Sequence, residues 1–319
     1  MDIVACTDHR FVMPTGTMIY SVCFNHDADI AFHIVIDGSV TEADKKELAE
    51  TVAAFPGKTL TFHVFEPEKL SVELPMGMGR PELTKATYYR LWLTELLPAD
   101  IDKVLYLDGD IIVRSSLRPL WDIDLTGYAV AAVPDMSERV MDYDRLGYAP
   151  ELGYFNAGVL LVNLDYWRNK QVMRDFMALL MHRPEDLHCH DQDVLNYCFR
   201  EAKLHLPIKY NVQDGYLYEV AYYDYRKYMQ QVAVARRWPV VVHYTHAKPW
   251  WTYSRHVHPW RSSFFAYREH TVWKDEHLVE MRPWAQRWKK RIALLLRKFG
   301  IIPELPPDGS EYLPLPPVD

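Results

Sequence analysis

Val104-Leu105-Tyr106-Leu107-Asp108-Gly109-Asp110-Ile111-Ile112-Val113 is the stretch on which the reading of this chain turns. A run rich in β-formers arrives at Asp108, a glycine and a second aspartate follow, and the chain becomes apolar again. Such an unbroken apolar run is how a buried strand of a parallel sheet reads. The carboxyl end of that strand opens onto the crevice where open α/β sheets bind ligands. Two carboxylates side by side resist joint ionisation, and a divalent cation between them removes the cost. Gly109 leaves room for a phosphate to approach the backbone. The alternative is an ordinary strand-end turn, since Asp-Gly is a common turn pair.

Toward the N-terminus, Ile3 to Thr7 reads as a short strand ending at Asp8, a carboxylate suited to the donor groups of a nucleoside. Gly16 to Asn25 reads as a helix and Ile30 to Asp37 as a strand. Thr41 caps a helix whose first turn carries Glu42 and Asp44 at the positive end of its dipole. Leu48, Val52 and Phe55 form its buried stripe, and Leu60 to Phe65 alternates as a strand. This succession predicts a doubly wound α/β sheet. Neither a GxGxxG fingerprint nor a Walker pattern is present, which excludes the usual dinucleotide fold and the P-loop NTPases. Thr84 to Leu97 reads as an amphipathic helix. Within it Arg90 either snorkels over Trp and Tyr or turns inward to neutralise phosphate or orient a carboxylate.

Beyond the acidic stretch, Ala129 to Val133 is a buried strand ending at Pro134-Asp135. Asn156 then precedes Ala157 and Gly158, small residues that permit close backbone approach, and a continuous apolar strand. The Asn156 amide offers a donor and an acceptor to a hydroxyl-rich ligand. Trp167 to Met181 reads as a helix, and Asp191-Gln192-Asp193 open another, with a carboxylate and an amide placed to grip hydroxyls. His188-Cys189-His190 lacks the second ligand pair that a tetrahedral zinc site needs. Val240 to Tyr244 is a final core strand, with His243 at its carboxyl end. His243 is either a capping residue or the third ligand beside Asp108 and Asp110, and mixed imidazole and carboxylate ligation suits manganese.

The 319 residues carry a net charge of −7, which argues against nucleic acid as a partner. Four cysteines without CxxC spacing read as reduced thiols. No basic n-region and no apolar run of ~18 residues is found, so the chain is expected in the cytoplasm without a signal peptide or membrane span.

Taken together, these motifs resemble the bacterial members of glycosyltransferase family 8, the retaining glucosyl- and galactosyltransferases of lipopolysaccharide and related surface glycans. The resemblance runs from Met1 to about Trp251. It rests on Met1-Asp2-Ile3-Val4 with Asp8, Ala86-Thr87-Tyr88-Tyr89-Arg90-Leu91, Lys103 to Asp110, Tyr154 to Leu164, Asp191-Gln192-Asp193, and His243-Tyr244 with Ala247-Lys248-Pro249-Trp250. It implies an α/β GT-A fold, with a Rossmann-like, mixed and mostly parallel sheet flanked by helices and a C-terminal helical extension. It also implies a UDP-glucose or UDP-galactose donor, a glycan or glycolipid acceptor, and Mn2+ (Mg2+ as second candidate) held by Asp108, Asp110 and His243. Asp8 would bind uracil, with Phe11 stacked on it. Arg90, Gly109, Asp135, Asn156, Ala157, Gly158, Asp191 and Gln192 would line the donor pocket, and Lys248 would reach the diphosphate. Gln192 or Asp191 is expected nearest the anomeric carbon. The family implies same-face attack, with the departing phosphate taking the acceptor proton.

Two departures stand out. Asp8-His9-Arg10-Phe11 replaces the usual Asp-x-Asn-Tyr, and the segment from His243 to Lys248 is one residue shorter than the common form.

The domain reading is a catalytic unit over 1–257, a basic helical region over 258–301 and a Pro-rich tail over 302–319. Arg282 to Gly300 carries seven basic residues and no acid, with Trp284, Trp288, Ile292, Leu295, Leu296 and Phe299 at helical spacing. Such a helix either packs on the domain or lies peripherally on an anionic leaflet, here the inner face of the cytoplasmic membrane. Two other functions compete. One is a haloacid-dehalogenase-type phosphatase, whose Asp-x-Asp also ends a buried strand but falls earlier in the chain. The other is a non-catalytic glycan-binding protein.

Overall fold

The computed structural model describes residues 1–76, 84–217, 226–246, 248–252 and 258–279, with Ile292, Leu295, Leu296, Phe299 and Ile301. In chain order its strands are β1 (Asp2–Thr7), β2 (Ile30–Ile36), β3 (Lys58–Val64), β4 (Lys103–Leu107), β5 (Ile111–Val113), β6 (Val130–Pro134), β7 (Phe155–Asn163), β8 (Lys203–His205), β9 (Val212–Gln213) and β10 (Val241–His243). Seven of them form one sheet in the order β3-β2-β1-β4-β7-β6-β8, and three form a second in the order β5-β10-β9. The large sheet is mixed and mostly parallel. β1 pairs in parallel with β2 and β4, β2 with β3, and β6 with β8, whereas β7 runs antiparallel to both β4 and β6. Its central strands are the continuous apolar runs of the sequence, buried on both faces. Edge strand β3 alternates, with Thr59, Thr61 and Val64 exposed.

The chain changes sheets within Asp108-Gly109-Asp110. The Asp108 N–H still donates to the Gly158 carbonyl on β7 at 2.8 Å, while the Asp110 carbonyl accepts from the Tyr244 N–H at 3.0 Å, beside β10. β5 and β10 are antiparallel with Ile111 opposite His243, so the register brings the histidine beside Asp110.

Several elements differ from their sequence reading. α1 spans Val12–Phe24 rather than beginning at Gly16, because Pro14 sits in its first turn, where a missing N–H costs nothing. α2 (Glu42–Ala53) begins with the expected Thr41 cap, completed by Asp44 as a capping box. Lys85–Trp92 is a 3-10 segment followed by one turn of α-helix, Leu93–Leu96, instead of a single amphipathic helix. Arg90 Nε donates to the Thr87 carbonyl at 3.0 Å, an acceptor an α-helix would use for its own ladder. The predicted helix Trp167 to Met181 is two, Leu164–Lys170 and Val172–His182, divided by Gln171 in the left-handed region at φ 53°. The large sheet departs from a simple doubly wound pattern through antiparallel β7.

Residues 258–279 add to the main core. Phe264 and Trp273 belong to it, and the Trp273 ring lies where a side chain on Gly16 would stand. Most of 282–300 and all of the Pro-rich tail lie outside the described residues; Ile292, Leu295, Phe299 and Ile301 are exposed. No helix among the described residues is long and apolar enough to cross a membrane.

The helix Asp191–Cys198 is bolted in place by its polar residues. Asn196 accepts from the Phe155 N–H and donates to the Phe155 carbonyl, both at 2.8 Å. Asp193 is fully buried and receives Arg145 Nη1 at 2.8 Å, the Tyr154 hydroxyl at 2.7 Å and the Cys189 N–H at 2.7 Å. Removing one partner of a buried ion pair costs about 3–5 kcal/mol. Asp193→Ala is therefore expected to lower stability by that amount in a urea titration; a loss under about 1 kcal/mol would mean that Arg145 finds other solvation.

Candidate active site

At the switch between the two sheets, Asp108, Asp110 and His243 each offer one ligand atom, and these atoms all lie within 4.8 Å of one another. His243 Nε2 stands 3.2 Å from Asp110 Oδ1 and 3.8 Å from Asp108 Oδ2. Its Nδ1 is engaged at 2.9 Å by Asn211 Oδ1, so the ring is held with the other nitrogen toward the carboxylates. A Cβ on Gly158 would lie 2.2 Å from His243 Cε1 and 2.8 Å from Asp108 Oδ2; only glycine leaves the cluster its space. One imidazole and two carboxylates converging from three strand ends fit a divalent cation of mixed nitrogen and oxygen preference.

The far sides of the two carboxylates are neutralised by buried cations. Asp108 Oδ1 meets Arg90 Nη2 at 2.9 Å and the Tyr106 hydroxyl at 2.8 Å. Asp110 Oδ2 meets Lys248 Nζ at 2.5 Å, and the same ammonium donates to the Tyr244 carbonyl. Burial opposes ionisation of Asp110, but Lys248 and His243 outweigh it and hold its carboxyl well below the usual range. Arg90 settles the choice left open by its sequence: it is turned inward and buried, lying over the Tyr106 ring and donating to the Ala157 carbonyl. Its Nε lies 3.0 Å from Asp191. Burial, only partly offset by Arg90 and the Thr87 hydroxyl, pushes the Asp191 carboxyl up to about 6.

A second group is threaded together by amides. Gln192 Oε1 accepts from the Ala157 N–H at 2.9 Å, and its Nε2 donates to Asp135 Oδ2 at 3.2 Å. Asn156 Nδ2 donates to the same oxygen at 3.0 Å. The Asn156 carbonyl oxygen accepts from the Gly158 N–H at 3.0 Å and from Asn211 Nδ2 at 2.8 Å. The Asn156 amide, expected to face a ligand, is thus engaged within the protein. Both backbone groups of Ala157 are likewise taken, by Gln192 and Arg90. His190, immediately before Asp191, is held at φ 58°; strain of this kind gathers at functional sites.

In front of these groups lies a cleft. Asp8, Phe11, Arg90, Asp108, Gly109, Asp110 and Lys248 line it, with Thr87 and Tyr106. Asp8 Oδ1 accepts from the Phe11 N–H at 3.2 Å, and the Phe11 ring packs edge-on against Trp250 at 6.0 Å. Asp135, Asn156, Gln192 and His243 stand behind it in the hydrogen-bonded group. Sequence reasoning missed Thr87, Tyr106 and Asn211. The first two fall inside motifs noticed for other residues; Asn211, beside a two-residue strand, carries no signal.

A sheet-switch crevice with paired carboxylates, a histidine and two buried cations belongs to an enzyme handling an anionic ligand, and comparison with known proteins narrows the class to the glycosyltransferases. The chain belongs to glycosyl transferase family 8, whose model matches residues 2–253. General stress protein A of Bacillus subtilis is 29% identical over 86% of this chain and 94% of its own length. The lipopolysaccharide 1,2-glucosyltransferase of Escherichia coli is 29% identical over 67% of this chain and 62% of its own. The galactosyltransferase LgtC, crystallised with donor and acceptor sugar analogues, superimposes with a TM-score of 0.73 at 29% identity, covering 91% of this chain and all of LgtC. A second LgtC structure, of an active-site glutamine-to-glutamate mutant, gives 0.72 at 27%, again over 91% of this chain and all of LgtC. The architecture is the GT-A fold. Several relatives are longer: this chain spans 61% of glycosyltransferase GlyF of Streptococcus pneumoniae.

The glycine contact gives a direct test. Gly158→Ala is expected to displace His243 or Asp108 and weaken divalent-cation binding by ~10–100-fold in calorimetry, with the circular dichroism spectrum kept; wild-type affinity would show that the cradle has slack.

Proposed function

We propose that this chain is a retaining hexosyltransferase that moves glucose or galactose from UDP-glucose or UDP-galactose to a glycan acceptor of lipopolysaccharide or another surface polysaccharide. The observation that carries the reading is the convergence of Asp108, Asp110 and His243, with both aspartates on the wall of a cleft that also holds Asp8 and Phe11. Asp108, Asp110 and His243 would hold Mn2+, or Mg2+ in its place. When bound, the cation supplies electrostatic stabilisation of the charge that develops on the departing diphosphate. Asp8 accepts from the uracil and Phe11 stacks against it. Lys248, at 2.5 Å from Asp110, contributes its positive charge at the diphosphate end. Arg90 keeps Asp108 and Asp191 in place, and Gly109, with the Asp135-Asn156-Ala157-Gly158 group, shapes the donor pocket. Gln192 or Asp191 would stand nearest the anomeric carbon. Support for Gln192 comes from LgtC, in which a glutamine is described as part of the active site. In same-face attack the departing phosphate oxygen takes the acceptor proton, so no side chain is assigned as general base. Relatives named as lipopolysaccharide glucosyl- and galactosyltransferases support the two candidate sugars.

The test is UDP release from a panel of UDP-sugars, with Mn2+ and with EDTA. Release from one donor with Mn2+, abolished by EDTA and reduced at least ~100-fold in Asp110→Ala, is expected. In the same assay Gln192→Ala should lower kcat and kcat/KM together, the mark of an interaction made in the transition state; a change in KM alone would remove that role. Retained glycan binding without turnover of any donor would favour the non-catalytic reading.

The proposal also places the protein in the cytoplasm, at the inner face of the membrane, through the basic stretch 282–300. Truncation after Met281 should shift the protein from membrane to soluble fractions. Unchanged recovery with membranes would sink that part.

A further inference from the structure

Asn211 is completely buried and does not line the cleft. It lies between His243 and Asn156, and a side-chain amide in such a place can point either way. Here the direction is imposed from a distance. The Gly158 N–H is a backbone donor and cannot be reversed, so the Asn156 atom facing it at 3.0 Å must be the oxygen. The Asn156 NH2 group therefore faces the Asp135 carboxylate, which only accepts. Asn156 Oδ1 stands 2.8 Å from Asn211, so Asn211 must present its NH2 group there and its oxygen to His243. A carbonyl oxygen 2.9 Å from Nδ1 requires that this nitrogen carry a proton.

We infer that Asn211 is a positioning residue that fixes the tautomer of His243, with the proton on Nδ1 and the Nε2 lone pair directed at the space between Asp108 and Asp110. The polarity begins at the Gly158 N–H and is passed through two amides. It acts against the carboxylates, which by themselves favour a proton on Nε2, the nitrogen 3.2 Å from Asp110. A neutral ring with its proton on Nε2 would keep its lone pair on Nδ1, facing Asn211 and away from the carboxylates. The consequence for metal binding rests on the functional reading above; the direction of the amide relay does not.

The wild-type protein decides the tautomer by itself. In 15N-labelled, metal-free protein at mildly alkaline pH, long-range 1H–15N correlation of the ring, assigned by comparison with His243→Gln, should show the neutral imidazole protonated at Nδ1. Protonation at Nε2 would overturn the inference. Mn2+ affinity then tests the consequence by calorimetry. Asn211→Ala should bind ~10–100-fold more weakly. Asn211→Asp retains an acceptor for the Nδ1–H but sets a second acceptor against Asn156 Oδ1, so it should recover part of that loss. Equal, wild-type affinity in the alanine variant would overturn the positioning role. Absence of any Mn2+ binding by the wild type would instead remove the functional reading, and the ring spectrum would still decide the tautomer. Should Asn211→Ala fail to fold, the ring spectrum and the aspartate variant carry the test.

Discussion

Two carboxylates cannot be set beside each other in a buried crevice unless their charge is met, and the site is built around meeting it. Asp108 closes a strand of one sheet and Asp110 opens a strand of the other, so the backbone itself forces them together. Arg90 and Lys248 take the outer oxygens. The inner oxygens face His243. With one cation behind each carboxylate, the inner oxygens still present negative charge, which on the proposed reading would attract a metal and let an anionic donor follow it. Stronger neutralisation would remove the attraction; weaker neutralisation would leave a repulsion that the fold has to hold together.

The carboxylate pair and His243 were legible because each sits at the end of a buried strand, where an apolar run makes a polar residue conspicuous. Arg90 was ambiguous for a physical reason. Its fate depends on Asp108 and Asp191, which reach it through tertiary packing, and an arginine among aromatics reads alike whether it faces out or in. The 3-10 form of Lys85–Trp92 was hidden for a related reason: the Arg90 side chain occupies the Thr87 carbonyl, and local propensity does not register that competition. The helix break at Gln171 has no glycine to announce it. Asn211 was beyond sequence reading altogether, since its meaning lies in the groups at its two ends.

The polar interior behind the cleft differs from an apolar core in what it specifies. Hydrophobic packing tolerates exchange among residues of similar volume. A chain of amides and carboxylates has a direction: each amide donates on one side and accepts on the other, while a carboxylate only accepts. Gln192, Asp135, Asn156, Asn211 and His243 form such a chain between the backbone of β7 and the carboxylate cluster. Their burial would be costly if any one were left unpaired, so the arrangement is held as a unit.

β7 enters this unit by its first residues, because it runs against its neighbours and its beginning, rather than its end, meets the crevice. Its side chains alternate between the two faces of the sheet, and a slip of one position would exchange the faces along the whole strand. An inserted or deleted residue between Phe155 and Asn163 would therefore carry Asn156 and Gly158 away from His243 even where composition and hydrophobicity were preserved. Over evolutionary time this strand can change its letters far more readily than its length, and variation in length is left to the connections outside it.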